Sequence, residues 1–281
     1  MRELIDELNN IRLAIFDLDG IIYRGQRLIP NVETILEELC NLSIKVVYNS
    51  NNSTITREMY VERLKKFNIT SEISDFYTSA SITSSEITKI KKNANIFVIG
   101  EIGLREELKS MGHTILTAPS NYDDVDFVIV GLDRDFKYDS LAIAQKCILE
   151  GHAQFYATNT DATLPAASGF LPGAGVMVNA VETCTSIKPV KIFGKPHSYG
   201  IKMILNDTNV VAKEACIFGD RLNTDILAGN HARITTVAVL TGVTSKEYIE
   251  ELKKKSKKSD TYDKDLIPDL VLNSLDEIFK K

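Results

Sequence analysis

The sequence predicts an α/β protein: a parallel sheet with crossover helices and a second, smaller α/β unit inserted into it. Three observations carry this. Short β-branched runs alternate with segments of helical period along the chain. The middle of the chain holds two further β-α-β units, enough for a small domain of its own. The length of 281 residues exceeds the roughly 150 of an average domain, a prior of two.

Leu13–Phe16 is a short apolar run that ends in an acidic turn. Asn31–Leu42 sets Val32, Ile35, Leu36 and Leu39 at helical spacing behind Pro30. Ile44–Tyr48 reads as a second strand and Thr54–Phe67 as a helix. In the middle, Ile96–Ile99, Thr114–Leu116, Phe127–Val130 and Gln154–Ala157 read as strands, with Glu101–Met111 and Asp139–Glu150 as helices. Val190–Phe193, Ala215–Phe218 and Thr236–Leu240 return to the first pattern. Ser256–Asp265 is polar and reads as a loop, and Pro268–Leu272 as a last short strand followed by a short helix. The expected division is a split core at 1–90 and 190–281, with the insert at 91–189.

Composition excludes several classes. With 44% apolar and 25% charged residues, the chain can bury a real core. No apolar run approaches the roughly 18 residues of a membrane helix, so no membrane partner is expected. The start, MRELIDELNNIR, is acidic and amphipathic, unlike a signal peptide, which predicts a cytoplasmic location. Cys40, Cys147, Cys184 and Cys216 form no C-x-x-C pair, which fits free thiols in a reducing compartment. A net charge of −5 argues against nucleic acid as a partner. The basic run Lys253–Lys258 reads as a solvated helix end or loop. Gly100 and Gly103 follow a strand as in a dinucleotide loop, but Glu106 stands where the third glycine belongs, so a plain strand-to-helix turn is the better reading.

Four strand ends carry chemistry. In Phe16-Asp17-Leu18-Asp19-Gly20, side chains two apart on an extended segment point the same way, so Asp17 and Asp19 can face one site at the carboxyl end of a strand. Two such carboxylates call for a divalent cation or a shared proton. The alternative is a polar capping loop. Ser50 offers a hydroxyl, and Asn51 and Asn52 can turn N–H groups toward an anion. Ser53 can instead, or as well, cap a helix that begins near Thr54. Lys195, in Gly194-Lys195-Pro196, is a compact positive charge suited to phosphate, although lone loop lysines are usually solvated; Pro196 would start the next helix. Gly219-Asp220 opens the fourth motif, with Asp225 five residues after Asp220. These oxygen ligands suit magnesium, although an acid at a helix start also answers the helix dipole.

Together these motifs resemble the haloacid dehalogenase superfamily of phosphatases, and within it the NagD-like or 4-nitrophenylphosphatase group, which includes phosphoglycolate and pyridoxal phosphate phosphatases. The likeness also takes in Ala157-Thr-Asn-Thr-Asp161, Pro172-Gly-Ala-Gly175 and Leu240-Thr-Gly-Val243 and runs over nearly the whole chain. It implies a doubly wound core with an inserted α/β cap. It implies that Asp17 attacks phosphorus, that Asp19 serves as acid and then base, and that Mg²⁺ is held by Asp17, the Asp19 main-chain carbonyl and Asp220. Ser50, Asn51 and Lys195 would bind the transferring oxygens, and Asp225 would orient Lys195 or a metal-bound water. The substrate would be a small phosphate ester, and the resemblance allows a homodimer through the cap. Ser50 stands where threonine is common, and Asn223 where an aspartate often stands. Leu164, in a cap loop implied to lie over the mouth of the site, replaces the histidine of pyridoxal phosphate phosphatases, which disfavours that substrate. The competing functions are a phosphotransferase or mutase of the same superfamily, and a catalytically idle binding protein.

Overall fold

The computed structural model describes residues 2–166, 169–256 and 264–280. Its six-stranded sheet runs in the order Leu270–Leu272, Thr235–Val239, Ala215–Gly219, Leu13–Phe16, Lys45–Ser50, Phe76–Thr78. Counted in chain order this is 6-5-4-1-2-3, the doubly wound arrangement, and the first five strands of the row pair in parallel. Leu13–Phe16 lies at the centre, buried at every residue, as expected of a strand covered on both faces. Its register sets Phe16 beside Phe218 on one side and Tyr48 on the other, and the rings of Phe16 and Phe218 stack with centroids 4.7 Å apart. The helix Val32–Asn41 buries Val32, Ile35, Leu36 and Leu39, the stripe its spacing predicts.

The chain divides into two compact units. The first takes residues 1–50, 61–77 and 195–281, and the second 51–60 and 78–194. The second unit has its own parallel sheet, ordered Lys191–Ile192, Gln154–Ala157, Phe127–Val130, Asn95–Ile99, Thr114–Leu116. Val128, Val130, Cys147, Phe155 and Val178 form the heart of its core, between the sheet and the helices Tyr138–Leu149 and Ala174–Thr185. Thr163–Ala166 and Gly169–Pro172 make a separate antiparallel hairpin.

Several expectations change. Lys191–Ile192 does not return to the first sheet; it pairs with Tyr156 and Ala157 in the second. A two-residue edge strand satisfies either sheet, and only the pairing partner decides. The helix expected from Thr54 begins at Arg57, because the Asn52 carboxamide oxygen accepts the main-chain N–H and hydroxyl of Thr54 and holds an Asx turn there. Thr56, not Ser53, caps that helix, accepting the Met59 N–H. Pro196 does not open a helix: residues 195–198 form a turn, and the helix is Tyr199–Thr208. The strand Phe76–Thr78 and the helix Ser79–Ile90 were not foreseen. The Gly100–Gly103 segment joins the strand Asn95–Ile99 to the helix Ile102–Ser110, a strand-to-helix turn. Lys253–Ser256 form the last turn of the helix Lys246–Ser256; Lys257 and Lys258, and most of the expected 256–265 loop, lie outside the described residues.

Candidate active site

Strand order reverses between Leu13–Phe16 and Ala215–Gly219, and the crevice beyond the carboxyl ends of such a pair is where open α/β sheets bind ligands. Asp17 and Asp220 are the first residues past these two strands. The Asp17 N–H donates to the Phe218 carbonyl at 2.9 Å, which extends the ladder by one step and fixes where the Asp17 side chain starts. Asp225 comes from the π-helical turn Leu222–Ile226, and Lys195 from the turn before Tyr199.

The ammonium of Lys195 joins them. It stands 2.7 Å from Asp17 Oδ1 and 2.7 Å from Asp225 Oδ1, and it donates to the Asn49 carbonyl at 2.6 Å. Lys195 is only 4% exposed, so it is not the solvated loop lysine of the bland reading. Burial alone would push its pKa down, but Asp17 and Asp225 more than offset this and hold it above the usual lysine value. Asp225 is fully engaged: its Oδ2 also accepts the Arg221 N–H at 3.1 Å. Asp220 Oδ2 accepts the Val243 N–H at 2.8 Å, while its buried Oδ1 has no hydrogen-bond partner.

Asp17, Asp220 and Asp225 each bring an oxygen within 4.8 Å of the other two. Burial, then the neighbouring carboxylates, raises the pKa of Asp17 well above normal against the pull of Lys195. Burial and Asp225 raise Asp220 to about 6. Three carboxylates face one ammonium, and one buried oxygen lacks a partner. The set fits a divalent cation with a preference for oxygen ligands. Two glycines shape this cradle. A Cβ on Gly242 would fall 1.7 Å from Asp220 Oδ2, and one on Gly20 would fall 2.5 Å from it. Gly20 also has φ +93°, a conformation other residues avoid.

Asp19 sits in the turn after Asp17, and burial raises its pKa while Arg63 and Arg221 pull it down. Ser50 ends the strand beside Leu13–Phe16 and is buried. The structure therefore gathers Asp17, Lys195, Asp220 and Asp225, with Asp19 and Ser50 on the same unit. Asn51, Asn52 and Leu164 belong to the other unit. There the Asn51 amide donates to both carboxylate oxygens of Asp161, at 3.2 and 3.1 Å. Leu164 pairs with Leu171 in the hairpin and packs, half-buried, on that unit's core. The Asn49 carbonyl, the Val243 N–H and the hydrogen site of Gly242 escape sequence reasoning, because two act through main chain and the third through the absence of a side chain.

Residues 14–114 match the haloacid dehalogenase-like hydrolase family, and residues 192–278 match its HAD-hydrolase-like companion. The chain is 33% identical over 259 residues to an acid sugar phosphatase of Staphylococcus haemolyticus, covering 92% of this chain and 95% of the relative. It is 31% identical to a 4-nitrophenylphosphatase of Schizosaccharomyces pombe, covering 98% and 94%. The crystal structure of a 4-nitrophenylphosphatase from Thermotoga maritima superposes with a TM-score of 0.86 at 30% identity, covering 97% of this chain and 98% of that one. With a buried lysine between Asp17 and Asp225 on a doubly wound sheet, and with this breadth of likeness, the chain belongs to the haloacid dehalogenase-like hydrolases as one of their phosphatases.

Proposed function

We propose that the protein hydrolyses small phosphate monoesters through an aspartyl-phosphate on Asp17, with Mg²⁺ as cofactor. One observation carries the reading: the Lys195 ammonium lies between Asp17 and Asp225, and Asp220, whose Oδ1 has no hydrogen-bond partner, belongs to the same cluster. Asp17 attacks phosphorus, forming an O–P bond as the bond to the leaving oxygen breaks. Asp19 gives its proton to that oxygen. Asp19 then takes a proton from water as the water attacks phosphorus, the acyl-phosphate O–P bond breaks, and inorganic phosphate and free Asp17 result. Lys195 offsets charge on the transferring oxygens, a role shared with Ser50 and Asn51 by family resemblance and with Asn52 by its place in the same polar turn. Bound Mg²⁺, on Asp17, the Asp19 carbonyl and Asp220, would offset the crowded carboxylates and polarise the phosphate. Asp225 has both oxygens engaged, which supports a role behind the site in holding Lys195.

The sequence pattern puts the core near 1–90 and 190–281 and the insert near 91–189, and the resemblance makes that insert a cap that selects substrate. Hydrolysis of 4-nitrophenyl phosphate tests the central reading. We expect turnover with Mg²⁺, loss on exhaustive chelation, and loss in Asp17→Asn with the circular dichroism spectrum unchanged. Full activity without metal would remove Mg²⁺ from the reading, and turnover by Asp17→Asn near the native rate would remove the covalent step.

A further inference from the structure

Asp19 is held from both sides by one residue. The Gly20 N–H, just after Asp19, donates to the Tyr23 carbonyl at 2.8 Å, and the Tyr23 N–H donates to the Leu18 carbonyl, just before Asp19, at 3.2 Å. The two peptide units that flank Asp19 are thus both tied to Tyr23, the Leu18 carbonyl also accepting the Ile22 N–H at 2.9 Å, so a displacement of Tyr23 would carry the Asp19 backbone with it. Tyr23 opens the two-residue strand Tyr23–Arg24, which turns back on Arg27–Leu28 as a short antiparallel pair. A ribbon this short has no stability of its own, so it takes its place from what grips it.

On one flank the grip is Thr241. Its hydroxyl donates to the Gly20 carbonyl at 2.7 Å, and the Arg24 guanidinium donates to the Thr241 carbonyl. On the other flank it is Arg63, in the last turn of the helix Arg57–Lys65. The Arg63 guanidinium carbon stands 3.7 Å from the centroid of the Tyr23 ring, a cation–π stack, and its Nη2 donates to the carbonyl of Gly25. One planar side chain thus covers the ring of Tyr23 and binds the turn two residues later. Lysine, a single ammonium on a flexible stem, cannot stack a plane on the ring and donate sideways at once.

We propose that Arg63 is a positioning residue for the general acid: by clamping Tyr23 and Gly25 it fixes the turn that carries Asp19 where a leaving oxygen can be protonated. The proposal rests on the reading of Asp19 as the acid and adds to it the residue that sets its geometry. The leaving group makes it testable. A 4-nitrophenolate departs at neutral pH without a proton, whereas an alkoxide needs one. Misplacing the acid therefore harms alkyl esters and largely spares the aryl ester, whereas general damage to the fold or to the Asp17 cluster harms both alike.

The experiment compares kcat/KM, which reports the step in which the leaving group departs, for 4-nitrophenyl phosphate and glycerol 3-phosphate with Mg²⁺ present. For Arg63→Met we expect a loss of roughly tenfold or more on glycerol 3-phosphate and under about threefold on 4-nitrophenyl phosphate, a part of the roughly 10²–10⁴-fold that a general acid contributes, since the acid is displaced and not removed. Arg63→Lys, which keeps charge and length and guards against a variant that fails to fold, should fall between native and Arg63→Met in the same asymmetric way. Equal losses on both esters in the folded variants, or no loss on either, overturn the proposal. Asp19→Asn serves as the control: it should show the same asymmetry more strongly. If it penalises both esters equally, the assignment of Asp19 as acid falls, and that outcome is separable from a failure confined to Arg63.

Discussion

Lys195 and Asp225 form a 2.7 Å ion pair in which the lysine side chain is 4% exposed and the aspartate 1%. Removing Asp225 leaves Lys195 with Asp17 as its remaining carboxylate, so the cost should lie below the about 3–5 kcal/mol of a buried charge left wholly unpaired. Asp225→Ala should lower the unfolding free energy by about 1–3 kcal/mol in urea titration and also reduce turnover, because Lys195 loses one of the two carboxylates that hold it. A stability loss under about 1 kcal/mol would mean the pair behaves as a surface salt bridge.

Gly242→Ala is expected to disable the site without unfolding the protein. The added methyl would meet Asp220 Oδ2 at 1.7 Å and the Asp220 Cβ at 2.3 Å, so the carboxylate must move. A shift of about 1 Å in a catalytic group commonly costs on the order of a hundredfold in rate. The check is kcat for 4-nitrophenyl phosphate together with Mg²⁺ affinity by calorimetry. Native values for both would show that the loop yields in place of Asp220.

His113 should make the second unit acid-sensitive. Its Nδ1 accepts the Ala94 N–H at 3.1 Å, and its Nε2 lies 2.9 Å from the Thr88 hydroxyl, whose own hydrogen goes to the Ser84 carbonyl. The ring is therefore held neutral, with its hydrogen on Nε2, and burial lowers its pKa below the ordinary 6.5. Between the lowered folded value and 6.5 the unfolded chain binds the extra proton, so stability from this group is full above pH 6.5 and drains away as pH falls below it. The melting temperature should drop from pH 7 to pH 5, and His113→Gln should flatten that slope. An unchanged slope in the variant would place the sensitivity elsewhere.

Substrate choice should respond to Leu164. It is half-buried against the core of its own unit and offers apolar contact alone, and a site with no partner for a polar group discriminates against that group. Native enzyme should turn over pyridoxal phosphate poorly relative to 4-nitrophenyl phosphate, and Leu164→His should raise the ratio of their kcat/KM values. A native preference for pyridoxal phosphate, or an unmoved ratio, would exclude Leu164 from selection.

The chemistry at the strand ends was legible because it depends on residue type at a fixed offset: Asp17 after Phe16, Asp220 after Gly219. The parallel character of the first sheet was legible because its strands alternate with segments of helical period, and the central strand is apolar throughout. What sequence hid is whatever depends on a partner far away in the chain. Lys191–Ile192 reads equally well as an edge of either sheet until Tyr156 and Ala157 are seen beside it. Phe76–Thr78 is too short to show a period. The mutual geometry of Lys195, Asp17 and Asp225 joins positions 178 residues apart for the first pair, and no local pattern encodes such a closure. Arg63 looks like any exposed helix-end arginine until Tyr23 is placed under it.

The pairing of Leu13–Phe16 with Ala215–Gly219, residue by residue from Leu13↔Ala215 to Phe16↔Phe218, has a consequence for biosynthesis. On the ribosome, a nascent chain that has emerged only as far as Asn209 holds every residue of the second unit's five-stranded sheet, but in the six-stranded sheet Leu13–Phe16 still lacks its neighbour Ala215–Gly219. Until translation passes Gly219, that strand presents an open, wholly apolar edge, the kind of surface that chaperones shield and aggregates recruit. Asp17 is made early but gains the partners of its cluster only with Lys195, Asp220 and Asp225, so hydrolytic competence arrives in the last quarter of synthesis, and truncated products carry the hazard of the fold without its chemistry.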